Sequence, residues 1–155
     1  MSSNHLSQAA TAATTAVPVS DPAATPAWMR RTGAALSIIA ILFLVFDSTG
    51  KLLEVAAVMS GTTELGYPAS VVRTLGALQL ACVVLYAIPR TSFLGAVFLT
   101  GYLGGAVATH VRIGNPLLTH VLFPVYVAVI AWGGLFLRDV RLRRLAGDHG
   151  KTAVD

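Results

Sequence analysis

The segment between Arg90 and Arg112 contains no Lys, Arg, Asp or Glu and is almost entirely apolar. A helix of about 20 apolar residues rises about 1.5 Å per residue, enough to cross the roughly 30 Å hydrocarbon core of a bilayer. This length and composition predict a transmembrane helix over residues 92–111. The chain around it must therefore fold as a helical membrane domain, because lipid leaves no water to satisfy exposed backbone groups.

One side of this helix is built from small residues. Gly101 and Gly105 form a G-x-x-x-G pair, and Gly104 and Ala108 repeat the same spacing. Gly76 supplies a comparable small position in the preceding apolar segment. Small residues allow helix backbones to approach closely in lipid. We therefore predict that these five positions pack against other helices.

The composition supports a membrane protein. Of the 155 residues, 55% are hydrophobic and 12% are charged, whereas a soluble domain carries about 25% charged residues. The net charge of +4 comes from arginines beside apolar segments, as the positive-inside rule requires, so nucleic-acid binding is disfavoured. The single cysteine, Cys82, excludes an intramolecular disulfide and a paired-cysteine redox site.

Four apolar segments with short polar connections predict an all-α, four-helix transmembrane bundle. The predicted spans are 33–54, 70–88, 92–111 and 117–137, inside a membrane domain at 28–145. A tail at 1–27, rich in Ala, Ser, Thr and Pro, is predicted to be disordered, and residues 146–155 form a polar C-terminal tail. An even number of spans puts both flanks on one side, where most arginines lie. This distribution predicts that both termini are cytoplasmic.

The first span is long only if it includes a polar stretch. Asp47, Lys51, Glu54 and Val58 are spaced so that one helical face carries all four. An Asp four residues before a Lys is the favourable order for an ion pair. Two alternatives remain open at this point: the pair is buried in the bundle, or the helix leaves the hydrocarbon near Asp47.

The predicted topology gathers polar residues at the other, outer end of the bundle. Charged groups inside a membrane cost free energy, which makes them candidates for function. They could relay protons or hydrogen-bond a carbonyl ligand such as a quinone; the alternative is a structural ion-pair network. The candidates are Asp47, Lys51, Glu54, Arg73, Thr109, His110 and His120, together with Gln79 at mid-depth, which interhelical hydrogen bonding also explains.

Neither a catalytic motif nor a metal motif is complete. The sequence has no H-E-x-x-H and no Cys/His ligand set. The missing motifs disfavour metal binding, and the position of His110 and His120 near one predicted membrane surface disfavours haem ligation. We therefore assign no catalytic residue and no metal ligand from the sequence.

Several stretches match a known pattern. They are Gly66-Tyr67-Pro68, Leu75-Gly76-Ala77, Leu85–Thr91 (LYAIPRT), Leu94-Gly95-Ala96, Leu99–His110 (LTGYLGGAVATH) and Trp132–Leu135 (WGGL). Together they resemble the DoxX-like family of small bacterial membrane proteins, over about residues 36–145. The resemblance implies a four-helix transmembrane bundle in the bacterial inner membrane. The family takes its name from a subunit of a thiosulfate:quinone oxidoreductase, and other members are linked to membrane oxidoreductase assemblies. It supplies no catalytic role for Thr109 or His110.

Three functional hypotheses follow. The first is an accessory or anchoring subunit of a membrane redox system, with a quinone as the ligand and a membrane or peripheral oxidoreductase as the partner. The second is a small-molecule binding protein or permease that works as a homo-oligomer in the lipid bilayer. The third, ranked last, is a small membrane enzyme.

Overall fold

The computed structural model describes residues 26–148, and every regular element in that range is helical. The predicted all-α, four-helix architecture is confirmed. The tail predicted at 1–27 lies outside the described residues except for Pro26 and Ala27, as do residues 149–155 of the predicted C-terminal tail. The elements are α1 (Ala27–Leu52), α2 (Ala56–Glu64), α3 (Ala69–Ala87), α4 (Ser92–Arg112), a π-helical turn (Leu117–Val121), α5 (Phe123–Arg138) and α6 (Val140–Asp148).

The four long helices form an up-and-down bundle. α1 packs against α3 and α5, and α4 packs against the same two helices, so α1 and α4 lie across the bundle from each other. One end, called here the histidine end, carries Asp47, His110 and His120. The opposite end, called the arginine end, carries Arg30 near the start of α1 and Arg138 at the last residue of α5.

Four helical stretches are long and apolar enough to cross a membrane, and they include the π-helical turn joined to α5. Their outward faces are apolar: Phe46 is 79% exposed and Val129 is 63% exposed. An apolar surface of this extent would be unfavourable in water but matches the hydrocarbon of a bilayer. The chain is thus a multi-pass membrane protein.

The bundle core holds polar side chains whose hydrogen bonds are satisfied. Tyr86 is fully buried, and its hydroxyl donates to the carbonyl of Ala131 at 2.7 Å. The Ser37 hydroxyl lies 3.0 Å from the same Tyr86 oxygen. Tyr86 therefore ties α3 to α1 and to α5 through hydrogen bonds that lipid could not replace.

Glycines make the closest helix contacts. A Cβ atom at Gly134 would lie 2.6 Å from Ser37 Oγ, and one at Gly95 would lie 2.2 Å from the backbone nitrogen of Tyr86. At Gly76 the added atom would lie 2.7 Å from Cβ of Lys51. Only glycine fits at these distances, so these three positions set the spacing between α1, α3, α4 and α5.

The glycines of α4 after residue 100 behave differently. Within residues 26–148, no atom apart from the adjacent residues and nearby backbone of α4 itself lies within 4 Å of a Cβ built at Gly101, Gly104 or Gly105, and Ala108 is exposed. The close packing predicted for this face is therefore not formed among the described residues, because α3 and α5 contact other sides of α4. Contact of this face with another protein stays a prediction.

The first helix ends before the predicted span does. α1 stops at Leu52, and Glu54 adopts a left-handed backbone with φ of 53°. The N–H of Val55 then donates to the carbonyl of Gly50, and α2 starts at Ala56. The single face predicted to run through Glu54 and Val58 is not formed, because this turn rotates the chain away from the axis of α1.

The entry into the fourth span is a π-helical turn. The N–H of Leu122 donates to the carbonyl of Leu117 at 2.9 Å, five residues earlier. Pro124 follows in the first turn of α5, where its missing N–H costs no helical bond. The wider turn contains His120, and π-helical turns are frequent at functional sites.

Candidate functional site

The histidine end encloses a cavity of about 780 Å³. Its walls come from α1, α3, α4 and α5, and residues of α2 line it as well. A volume of this size is within the roughly 300–1,000 Å³ typical of small-molecule sites. Six of the candidates named above line it: Asp47, Lys51, Gln79, Thr109, His110 and His120.

Gln79 is the centre of a hydrogen-bond network beside the cavity. Its side-chain oxygen accepts from Lys51 Nζ at 2.9 Å and from the Tyr102 hydroxyl at 2.9 Å. Its amide nitrogen donates to the carbonyl of Leu44 at 3.2 Å. Gln79 is fully buried, so its partners on α1 and α4 are the groups that satisfy it. It acts as a connector between three helices.

Lys51 and Asp47 form an ion pair along α1. The Lys51 side chain is 13% exposed and that of Asp47 is 34% exposed. Lys51 therefore has two partners, the Asp47 carboxylate and Gln79, while Asp47 keeps a more open position toward the cavity. The predicted pairing of Asp47 with Lys51 is thus present in the structure, whereas the depth of the pair in the bilayer stays a prediction.

Thr109 lies on the opposite wall. Its hydroxyl donates to the carbonyl of Gly105 at 2.9 Å and lies 2.8 Å from the Tyr67 hydroxyl. Tyr67 comes from the loop between α2 and α3. This contact holds the loop against α4, where both residues line the cavity.

The two histidines meet across the turn that joins α4 to the fourth span. Their ring centroids are 5.9 Å apart in an edge-to-face arrangement. Asn115 donates its amide N–H to Nδ1 of His110 at 2.8 Å, which places the ring proton of a neutral His110 on Nε2. Nδ1 of His120 lies 2.8 Å from the Thr119 hydroxyl. Both imidazoles line the cavity with one ring nitrogen held by a neighbour.

Glu54 and Arg73 do not belong to this cavity. They form an ion pair with a 3.2 Å separation, with side chains 44% and 64% exposed, on the surface between α1 and α3. A pair this exposed contributes about 0–1 kcal/mol to stability. The sequence placed both residues at the correct end of the bundle but could not show that they point outward.

The remaining wall of the cavity is apolar. Phe43 of α1 and Phe123 of α5 line it and also reach the outer surface, where they are 40% and 46% exposed. Their rings pack edge to face at 5.5 Å between centroids. The seam between α1 and α5 at this level thus separates the cavity from the lipid by one aromatic pair.

Five polar lining residues were not among the candidates: Thr62, Glu64, Tyr67, Tyr102 and Asn115. Tyrosines near a membrane surface are ordinary interfacial anchors, so spacing alone does not distinguish them. Asn115 sits in a turn, where its residue type is expected for local reasons. Within residues 26–148 no group of three His, Cys, Asp or Glu side chains is arranged to hold a metal ion.

Comparison with known families adds one match. The family model described as the DoxX-like family matches residues 35–134. The chain belongs to the DoxX-like family. All residues that line the histidine-end cavity of this DoxX-like protein fall inside the matched segment. Neither the curated proteins nor the solved structures gave a match.

Proposed function

We propose that this DoxX-like protein is a small-molecule-binding membrane subunit that supports a membrane redox system, and that its ligand is the head of a quinone. The observation that carries the proposal is the histidine-end cavity, which combines hydrogen-bonding side chains with an aromatic wall next to the lipid. We further propose that the protein resides in a bacterial inner membrane with both termini in the cytoplasm, which the arginine distribution favours.

The chemistry of the cavity suits a ligand with carbonyl oxygens. A quinone carbonyl accepts hydrogen bonds, and Nε2–H of a neutral His110 is a donor without another partner among the described residues. His120 and the Tyr67 hydroxyl line the same space. These three side chains would hold the head of the ligand, and the aromatic pair Phe43 and Phe123 would contact its ring.

An accessory role, rather than a catalytic one, agrees with the bonds that the charged residues of the cavity already make. Lys51, Gln79 and Asp47 already bond to one another and to the helices around them. A general acid or base needs a reactive atom within reach of the substrate, whereas these groups mainly fix the cavity wall. The proposal therefore assigns binding to this chain and leaves the electron transfer to a partner oxidoreductase.

The test is a binding measurement on the full chain in lipid nanodiscs. A short-chain quinone is titrated into the wild type, into Ala106→Leu, which adds bulk to the cavity lining, and into Ala81→Leu, which adds the same bulk to an exposed position on α3. The proposal predicts saturable binding that Ala106→Leu weakens by about tenfold or more and Ala81→Leu leaves unchanged. Equal binding to all three proteins, or none to the wild type, would contradict it.

A second candidate is an oligomeric binding protein or permease. It is favoured by the open face of α4 at Gly101 and Gly104, which meets nothing within the described chain. Native mass spectrometry of the protein taken from its own membrane distinguishes the accessory role from the oligomeric binding protein or permease. A stoichiometric oxidoreductase or a bound quinone supports the accessory role, whereas a homo-oligomer that Gly101→Leu dissociates supports the permease.

A further inference from the structure

A second cavity, of about 690 Å³, lies at the arginine end. It is formed where the start of α1, the loop after α3 and the junction between α5 and α6 meet. Arg30, Arg31 and Arg138 line it, together with Asp139 and Ser92. It is separate from the histidine-end cavity, since the two share no lining residue.

The charges in this cavity are not balanced from within. Across residues 26–148 no carboxylate forms an ion pair with Arg30, Arg31 or Arg138. The single carboxylate in the lining, Asp139, accepts the backbone N–H of Arg141 at 2.8 Å and so caps the start of α6. Three guanidinium groups therefore share a concave site with one carboxylate that already has a structural role.

Arg138 is held in place without an anion. Its Nη2 atom lies 3.1 Å from Ser92 Oγ and 3.4 Å from the carbonyl of Tyr86, and it donates to both. Its guanidinium carbon sits 5.3 Å from the centroid of the Tyr86 ring. A guanidinium has five N–H donors, so the donors on its other nitrogens stay available in a fixed orientation.

The positions of Arg30 and Arg31 add to the imbalance. They follow shortly after Ala27, the first residue of α1, and the first turn of this helix contains no acidic residue. The helix dipole disfavours cations at this end. The fold thus places positive charges where the dipole of α1 is unfavourable to them. A bound anion would offset this unfavourable electrostatic energy.

The geometry points to a phosphate group as the occupant, and we propose that an anionic phospholipid supplies it. Guanidinium groups bind phosphate oxygens in pairs, and basic pockets between membrane helices accept lipid head groups. The lining residue Ala34 and the neighbouring Ile38 are exposed on α1, which offers the acyl chains an apolar path beside the site. Trp28, 65% exposed, marks the same end as the level of the lipid head groups.

The proposal is tested by native mass spectrometry on the delipidated full chain in a mild detergent. Phosphatidylglycerol and phosphatidylcholine are titrated separately into the wild type, Arg31→Gln and Arg144→Gln. Arg31 lines the cavity, whereas Arg144 is an exposed arginine of α6 outside the lining, so both variants lose one charge. We expect one tightly retained phosphatidylglycerol per chain, weakened about tenfold by Arg31→Gln and unchanged by Arg144→Gln.

Three results would overturn the assignment. If Arg31→Gln and Arg144→Gln lose affinity for phosphatidylglycerol equally, the binding reflects only general attraction between basic residues and anionic lipid. Equal retention of both lipids by the wild type would remove the role of charge. Thermal stabilisation by inorganic phosphate, lost in Arg31→Gln and not reproduced by phosphatidylglycerol, would make the site one for a free anion. Arg138→Lys keeps the charge but not the forked donors. Its affinity for phosphatidylglycerol should therefore lie between those of the wild type and Arg31→Gln.

Discussion

Lys51 donates a hydrogen bond from Nζ to the side-chain oxygen of Gln79 at 2.9 Å, and this contact joins α1 to α3 beside the histidine-end cavity. The same oxygen accepts from Tyr102 on α4. A cation that ends a membrane span is thus paired with Asp47 and also bonded to a buried amide. Such sharing lowers the cost of placing a charge at this depth.

Gln79→Leu should destabilise the protein by about 1–3 kcal/mol. Leucine has a similar size but cannot accept from Lys51 or Tyr102, nor donate to the carbonyl of Leu44. Thermal unfolding in one detergent measures the effect. Leu78→Ala, at an exposed neighbouring position on α3, serves as the control. A melting temperature for Gln79→Leu equal to that of the control would show that the network adds no stability.

The ion pair between Asp47 and Lys51 should show measurable coupling. Asp47→Asn, Lys51→Met and the double variant form a cycle in which the coupling free energy is expected at about 0.5–3 kcal/mol. Lys51→Met should cost more than Asp47→Asn, because Lys51 is the more buried partner and also bonds to Gln79. If the losses of stability in the two single variants simply add up in the double variant, the two side chains are close but do not stabilise each other.

The fold could be predicted from the sequence because its strongest signals are local. An apolar run without charges, such as residues 91–111, specifies a membrane helix by length alone. The alternation of four such runs then brings Asp47, His110 and His120 to one end. The structure places these three residues on one cavity, although whether that cavity has a function stays a prediction.

The inward faces of the helices were harder to predict. In lipid both the buried and the exposed side of a helix are apolar, so periodicity does not separate them. The G-x-x-x-G pair Gly101 and Gly105 has the expected spacing but meets no neighbouring helix within the described chain, whereas Gly95 and Gly134, which are not part of such a pair, make close contacts. Which glycine meets a neighbour depends on the rotation of each helix, which residue spacing does not encode.

Gly95→Ala and Gly101→Ala should have opposite effects, although both change a glycine of α4. The Cβ atom added at Gly95 would lie 2.2 Å from the backbone nitrogen of Tyr86, so α3 and α4 would have to separate. We expect a loss of about 1–3 kcal/mol from such overpacking. At Gly101 the added atom meets nothing within the described residues, and the higher helix propensity of alanine should stabilise by up to about 1 kcal/mol.

Unfolding of both variants in the same detergent decides between these outcomes. Equal stability of Gly95→Ala and wild type would show that the α3–α4 turn adjusts freely. A large loss in Gly101→Ala would instead place a partner helix on its open face, because only such a partner would crowd the new methyl group.

Glu54→Gly should leave the protein at least as stable as Glu54→Gln, because the backbone at this position favours glycine. Glu54 has φ of 53°, a left-handed conformation that costs other residues about 1–2 kcal/mol. Its ion pair with Arg73 is exposed and separated by 3.2 Å, so losing the pair costs only about 0–1 kcal/mol.

Glu54→Gln removes the pair and keeps the unfavourable φ, and the stability of Arg73→Gln should match that of Glu54→Gln. Glu54→Gly removes both and should exceed these two variants by about 1 kcal/mol. Glu54→Gly melting below Glu54→Gln and Arg73→Gln would show that the chain needs a side chain here to fix the turn between α1 and α2.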